Sequence, residues 1–207
     1  MSQKVIANFA SKAEDIASNK KLTVQETNPK NLGQAVHNVL LGMELISVVE
    51  NAYEEIASIL SQVKYWVSSN LKSNLENAQI SDLETRISLK LKVLDQAAET
   101  FKHKGQKLLD GSMSASAKTE SHCFLIVGAN GSPENRINLN TSLNIPSINS
   151  NTLGLGELSV SAPQIGLKEL MMLENALAIT TRLKQRSTAL GTHLQGVNQH
   201  LSTAIEN

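Results

Sequence analysis

The chain carries a single cysteine, Cys123. A lone cysteine excludes an internal disulfide, and no Cys/His grouping has the spacing of zinc ligands. Neither sign of charge is in excess: 19 basic and 19 acidic residues give a formal net charge of +0. Without a basic field to neutralise phosphates, nucleic acid is not an expected partner. The balance also leaves little repulsion between copies, which permits self-association. No run approaches the ~18 uninterrupted apolar residues that span a bilayer, so no membrane partner is expected. Met1–Ala10 holds one lysine and no long apolar stretch, so it does not read as a secretory signal peptide, and export would need another route. Aromatics make up 3% of the residues, which makes the adjacent pair Tyr65-Trp66 conspicuous.

What is abundant is patterned apolar sequence, 41% of 207 residues, enough for a core without disulfides or a metal. Residues 1–31 read as a leader. Ile6, Phe9, Ala13 and Ile16 recur at helical spacing there, and Asn28-Pro29 breaks the pattern. From Leu32 the spacing becomes heptad-like: Leu32, Val36, Val39, Met43, Ile46, then Val49, Tyr53, Ile56, Leu60, Val63 and Val67. The join between the two runs predicts one stammer. A helix over about 32–70, at ~1.5 Å per residue, is more than ~50 Å long and needs partner helices along its length.

Ser68 to Gln79 is polar and reads as a helix end and turn. Ser81 or Asp82 is a candidate cap for a second helix over about 82–104, with stripe Leu83, Ile87, Leu91, Leu94, Ala98 and Phe101 and Gly105 as its C-cap. Residues 111–162 read as a β-rich insert. Cys123–Val127 is apolar, Gly128-Ala129-Asn130-Gly131-Ser132-Pro133 is turn-like, and Ile137 and Leu139 alternate with polar residues, a hairpin pattern. Leu153, Leu155, Leu158 and Val160 suggest further extended chain. A third long helix over about 163–206 follows from Leu170, Leu173, Leu177, Thr180, Leu183, Ser187, Leu190, Leu194, Val197 and Leu201. The expected fold is mainly α: an elongated bundle of three long helices with a small hairpin-containing insert between the second and third.

The residues that invite chemistry have simpler readings. His193 and His200 share a helix face and read as solvated. His122-Cys123 resembles a base beside a nucleophile, but neighbours on a strand point to opposite faces. Gly128-Ala129-Asn130-Gly131 lacks the Gly-Lys-Ser/Thr ending of a phosphate loop. Met171-Met172 reads as packing. No catalytic, cofactor-binding or metal residue is assigned, no cofactor is expected, and the chain does not read as an enzyme.

Several strings resemble bacterial flagellins, in family order over residues 32–207. Leu32-Gly33-Gln34-Ala35, Asn38, Gly42, Glu50, Ala52 and Glu55-Ile56 resemble the first helix of the flagellin core domain. Ser81-Asp82-Leu83 through Leu94-Asp95 to Gly105-Gln106-Lys107-Leu108-Leu109 resembles the second. Val127-Gly128-Ala129-Asn130, then Thr152-Leu153-Gly154-Leu155-Gly156-Glu157-Leu158-Ser159-Val160-Ser161, is similar to the family's VGAN strand end and LGLxxLxVS segment. Arg186 to Leu190-Gly191 and Ser202 to Asn207 are similar to the start of the family's C-terminal region.

The resemblance implies a structural subunit of the flagellar filament, extracellular, exported without a cleaved signal peptide, with like subunits or other flagellins and the export machinery or its chaperone as partners. It departs from the family where the terminal filament-core helices would lie, which leaves assembly-deficient variants of that role, a hook–filament junction protein and a non-assembling helical binding module as alternatives. The family's QRVRELAVQ packing stretch matches Ser61-Gln62-Val63-Lys64-Tyr65-Trp66-Val67-Ser68-Ser69. Gln62, Lys64, Tyr65, Trp66 and Ser69 are therefore the candidate subunit-interface residues. Lysine does not reproduce the bidentate fork of arginine, and Tyr65 replaces the glutamate, so recognition by the innate immune receptor that senses flagellins is not expected to carry over.

Overall fold

The computed structural model describes residues 32–71, 75–160 and 167–206. The leader, with the helical spacing of Ile6, Phe9, Ala13 and Ile16, lies outside these residues. The elements run α1 (Leu32–Asn70), α2 (Asn77–Thr100), β1 (Lys102–His103), β2 (Gln106–Lys107), a 3₁₀ turn (Thr119–Ser121), β3 (Phe124–Ile126), a second 3₁₀ turn (Pro133–Asn135), β4 (Arg136–Asn138), a short helix α3 (Leu139–Ser142) and α4 (Leu167–Glu206). The molecule is mainly helical, and α1, α2 and α4 form an elongated bundle.

α1 and α4 pack antiparallel in one register. Gly42 lies against Leu194, Gly191 against Ile46, Thr188 donates a hydrogen bond to Glu50, Lys184 pairs with Glu54, and Lys64 pairs with Glu174. Each step up α1 is matched by a step down α4. Between them lie two unbroken 3/4-spaced seams. On α1 it is Ala35, Val39, Gly42, Ile46, Val49, Tyr53, Ile56, Leu60, Val63 and Val67, all buried. On α4 it is Leu173, Ala176, Thr180, Ser187, Leu190, Leu194 and Leu201, with Leu183 and Val197 half-buried in the same stripe. Each fully buried Ile or Leu side chain contributes roughly 1.5–3 kcal/mol.

The stammer expected from the sequence is absent. It came from counting only large residues, which put Leu32, Val36 and Met43 in the seam. Those three are half-buried at its edge. The seam positions are the small Ala35 and Gly42, and the repeat through them is continuous. Thr180 and Ser187 hold seam positions with polar side chains, which each satisfy by donating back up the helix, Thr180 to Ala176 O at 2.9 Å and Ser187 to Leu183 O at 3.2 Å.

A second stripe on α1, Leu45, Ala52 and Ile59, repeats every seven residues and leads to Trp66, where Arg86 of α2 stacks over the indole. α2 begins at Asn77, earlier than the expected Ser81–Asp82, because the Gln79 side chain accepts from the Glu76 backbone N–H at 2.9 Å and organises the first turn. It ends at Thr100, not at Gly105. Lys104 and Gly105 both have positive φ, 50° and 85°, in the two-residue turn of the β1–β2 hairpin, the conformation that matches strand twist. Lys107 of that hairpin pairs back onto Glu99.

The insert contains less strand than expected. Its hairpin, β3 with β4, pairs Phe124 with Asn138 and Ile126 with Arg136. Leu153 lies in a turn, and Leu155 and Val160 in irregular chain that pairs with no strand among the described residues, although all three side chains are buried. Asp95 of α2 anchors it: its carboxylate accepts from the Ser150 backbone N–H at 2.6 Å and the Ser150 hydroxyl at 2.9 Å. Asn140 is fully buried. Its Oδ1 accepts from Cys123 N–H at 2.8 Å, and its Nδ2 donates to Ser112 O at 3.0 Å and Ser114 O at 3.1 Å. The insert docks on the rod through Asn38, which donates to Ile126 O at 3.1 Å, and Arg186, which donates to Ser142 O and Thr141 O at 2.9 and 2.8 Å.

Candidate subunit-packing face

The five residues singled out in sequence lie in the last two turns and a half of α1, where the seam residues Val63 and Val67 fix which way the rest point. Gln62, Tyr65 and Ser69 fall on the side away from the seam and are exposed. Tyr65 is 68% exposed, its ring held away from the bundle by the burial of its neighbours. The backbone beneath is pinned at the helix end: Ser68 Oγ donates to Tyr65 O at 3.0 Å and Asn70 Nδ2 to Trp66 O at 2.7 Å. Both bonds go to carbonyls in the last two turns of the helix.

The structure does not gather all five on one face. Trp66 is half-buried, packs against the core and lies 4.6 Å under the Arg86 guanidinium. Arg86 itself stays exposed, and an exposed cation over an indole contributes about 0.5–1 kcal/mol. Trp66 therefore works within the chain, joining α1 to α2. Lys64 points the other way, to Glu174 of α4 at 2.9 Å. What remains on the outer surface is Gln62, Tyr65 and Ser69, a polar patch around one aromatic ring. At the same end of the rod, α4 leaves Leu167 and Met171 exposed, 73% and 60%. Met172 packs against the core as expected, whereas Met171 does not.

Of the residues that invite a chemical role, His122 is held by hydrogen bonds and Cys123 is half-buried. The His122 ring is within hydrogen-bond distance of Ala117 O at 3.1 Å and the Asn138 side chain at 3.0 Å, so both nitrogens are engaged. Burial pushes the Cys123 thiol above its usual range, which disfavours the thiolate a nucleophile requires. His193 and His200 are exposed. Among the described residues, no group of three or more His, Cys, Asp or Glu is placed to hold a metal ion. The Gly128–Gly131 turn is closed by Asn130, whose side-chain oxygen accepts from the Ser132 backbone. The first half of α1 is long and apolar enough to cross a membrane by composition. In this fold, however, its most buried residues face α4 and its Asn38 holds the insert.

Sequence reasoning missed Arg86 and Asn140, and met Asp95 and Arg186 only as members of family strings, with no contact assigned to them. Each acts across a separation along the chain that no local pattern encodes.

No family model matches the chain, and no curated protein matches it in sequence. In fold, the chain is similar to the flagellin of Bacillus cereus, whose crystal structure superposes with a TM-score of 0.63 over 80% of this chain and 88% of that one, at 13% identity.

Proposed function

We propose that this chain is a structural subunit of the bacterial flagellar filament, acting by subunit packing and not by catalysis. The observation that carries the reading is the fold similarity to a flagellin, which extends over 88% of that chain. The architecture is in keeping with it. A rod held by long antiparallel helices presents stiff outer faces, and stiff faces lose little entropy on packing. The outer face of α1 offers Tyr65 between Gln62 and Ser69, and tyrosine is among the residues that dominate protein interfaces. The partners are like subunits or other flagellins, the site of action is the extracellular flagellum, and delivery uses the flagellar export machinery.

Immunogold electron microscopy of cells producing the full-length chain tests this. Label along the filaments supports the proposal. Label confined to the hook–filament junction replaces it with the junction-protein reading. Label restricted to the cytoplasm in cells with intact flagella overturns it.

A further inference from the structure

Asn130 is exposed, yet its side-chain oxygen is held by three donors: the Ser132 backbone N–H at 3.1 Å, the Ser132 hydroxyl at 2.6 Å and the Asn135 carboxamide at 2.7 Å. Asn135 reaches this position across Gly128, where a Cβ would collide with its carboxamide. The next residue is Gly131, and no other asparagine in the chain precedes a glycine. From this arrangement we infer that Asn130 is a site of self-catalysed deamidation, a chemical modification independent of the packing role.

The step balances without a cofactor. The Gly131 backbone nitrogen gives up its proton to solvent base and bonds to Asn130 Cγ. The Cγ–Nδ2 bond breaks, and Nδ2 takes a proton and leaves as ammonia. Water then adds across one of the two C–N bonds of the resulting succinimide, giving aspartate or isoaspartate. Nothing is oxidised or reduced. Glycine favours the attack because no Cβ shields its nitrogen. As the nitrogen bonds to Cγ, negative charge develops on Oδ1, and the three donors are already aimed there. The same donors then hold the product carboxylate more strongly than the amide. Glu134 also draws on the Ser132 hydroxyl, so the Ser132 N–H and the Asn135 carboxamide are the donors without that competitor. The reaction adds one negative charge to a chain whose formal net charge is +0.

The test compares deamidation of the full-length protein when folded and when unfolded in guanidinium, at one mildly alkaline pH, by peptide mapping with mass spectrometry. Asn130 is expected to convert before any other asparagine, and several-fold faster folded than unfolded. Asn135→Ala and Ser132→Ala are each expected to reduce the folded rate without changing the unfolded one. Gly131→Ala is expected to suppress conversion in both states. Conversion that is no faster in the folded protein overturns the inference, as does a folded rate that neither donor variant lowers. Circular dichroism of the variants establishes that the folded rates refer to folded protein.

Discussion

Leu194 of α4 closes over Gly42 of α1: a Cβ built on Gly42 would stand 2.9 Å from Leu194 Cδ1, and 2.7 Å from Cδ2 of Leu125 in the insert. Three parts of the molecule meet where one side chain is missing. Glycine inside a helix costs about 1 kcal/mol relative to alanine, so alanine here gains propensity and loses packing. The two leucine ends are flexible and yield to one methyl. Gly42→Ala is expected to change unfolding stability by less than about 1 kcal/mol. Gly42→Val is expected to cost roughly 1–3 kcal/mol, because the extra methyls force both leucines out of their rotamers. Urea denaturation of the two variants checks the ordering.

Tyr53 sits in the same seam, 1% exposed, and its hydroxyl has no hydrogen-bond partner among the described residues. A buried hydroxyl without a partner costs about 1–3 kcal/mol. Tyr53→Phe is therefore expected to leave stability unchanged or raise it by about 1 kcal/mol. Burial holds the Tyr53 phenol well above its ordinary value. The folded protein thus keeps its proton where the unfolded chain loses it. The stability tied to Tyr53 is complete below the unfolded value of about 10 and declines as pH rises beyond it. Denaturation curves across that alkaline range are expected to show wild type losing more stability than Tyr53→Phe.

Asn140 holds three backbone groups of the insert at once. Asn140→Ala removes all three bonds; Ser114 O keeps the Ala117 N–H at 3.1 Å and Ser112 is exposed, so the loss is expected to be roughly 1–3 kcal/mol. Asn140→Asp keeps the acceptor for Cys123 N–H but removes both donors. It is expected to be at least as harmful, since a buried carboxylate would face Ser112 O and Ser114 O. Thermal melts of both variants provide the check.

The single tryptophan reports directly on the α1–α2 junction. Arg86→Ala uncovers the Trp66 face and is expected to shift its fluorescence to longer wavelength, with a loss of about 0.5–1 kcal/mol. Arg86→Lys is expected to restore the charge but only part of the shielding, because an ammonium does not stack as a guanidinium does.

The sequence-based reading succeeds where the signal is local and periodic. Ile56, Leu60, Val63 and Val67 name the seam of α1 without any structure, and Thr180 through Leu201 name that of α4, although the expected Leu177 is half-buried and the small Ala176 takes the seam position. It fails at positions defined by space. Ala35 and Gly42 carry little hydrophobic signal, so the stripe drifted to Val36 and Met43 and acquired a stammer that does not exist. Gly105 looks like a helix C-cap because glycine suits any positive-φ position, a hairpin turn included. Leu153 and Leu155 are buried like strand residues, but their N–H groups donate to Asn149 O and Ser150 O and close turns, with Ser150 anchored by Asp95 of α2. Of the candidate interface, the sequence leaves both aromatics open between core and surface: Tyr65 stands outward, whereas Trp66 packs inward under Arg86, twenty positions farther along and on another helix.

The central claim is that the outer face of α1 packs against filament subunits. Sedimentation of the full-length chain mixed with flagellins prepared from the same cells, with electron microscopy of the pellet, measures this directly. Wild type is expected in the pellet as part of ordered filaments. Tyr65→Glu, which alters only an exposed side chain, is expected to stay folded and to pellet several-fold less. Wild-type chain that remains in the supernatant while the flagellins polymerise would contradict the account, and so would equal pelleting of Tyr65→Glu.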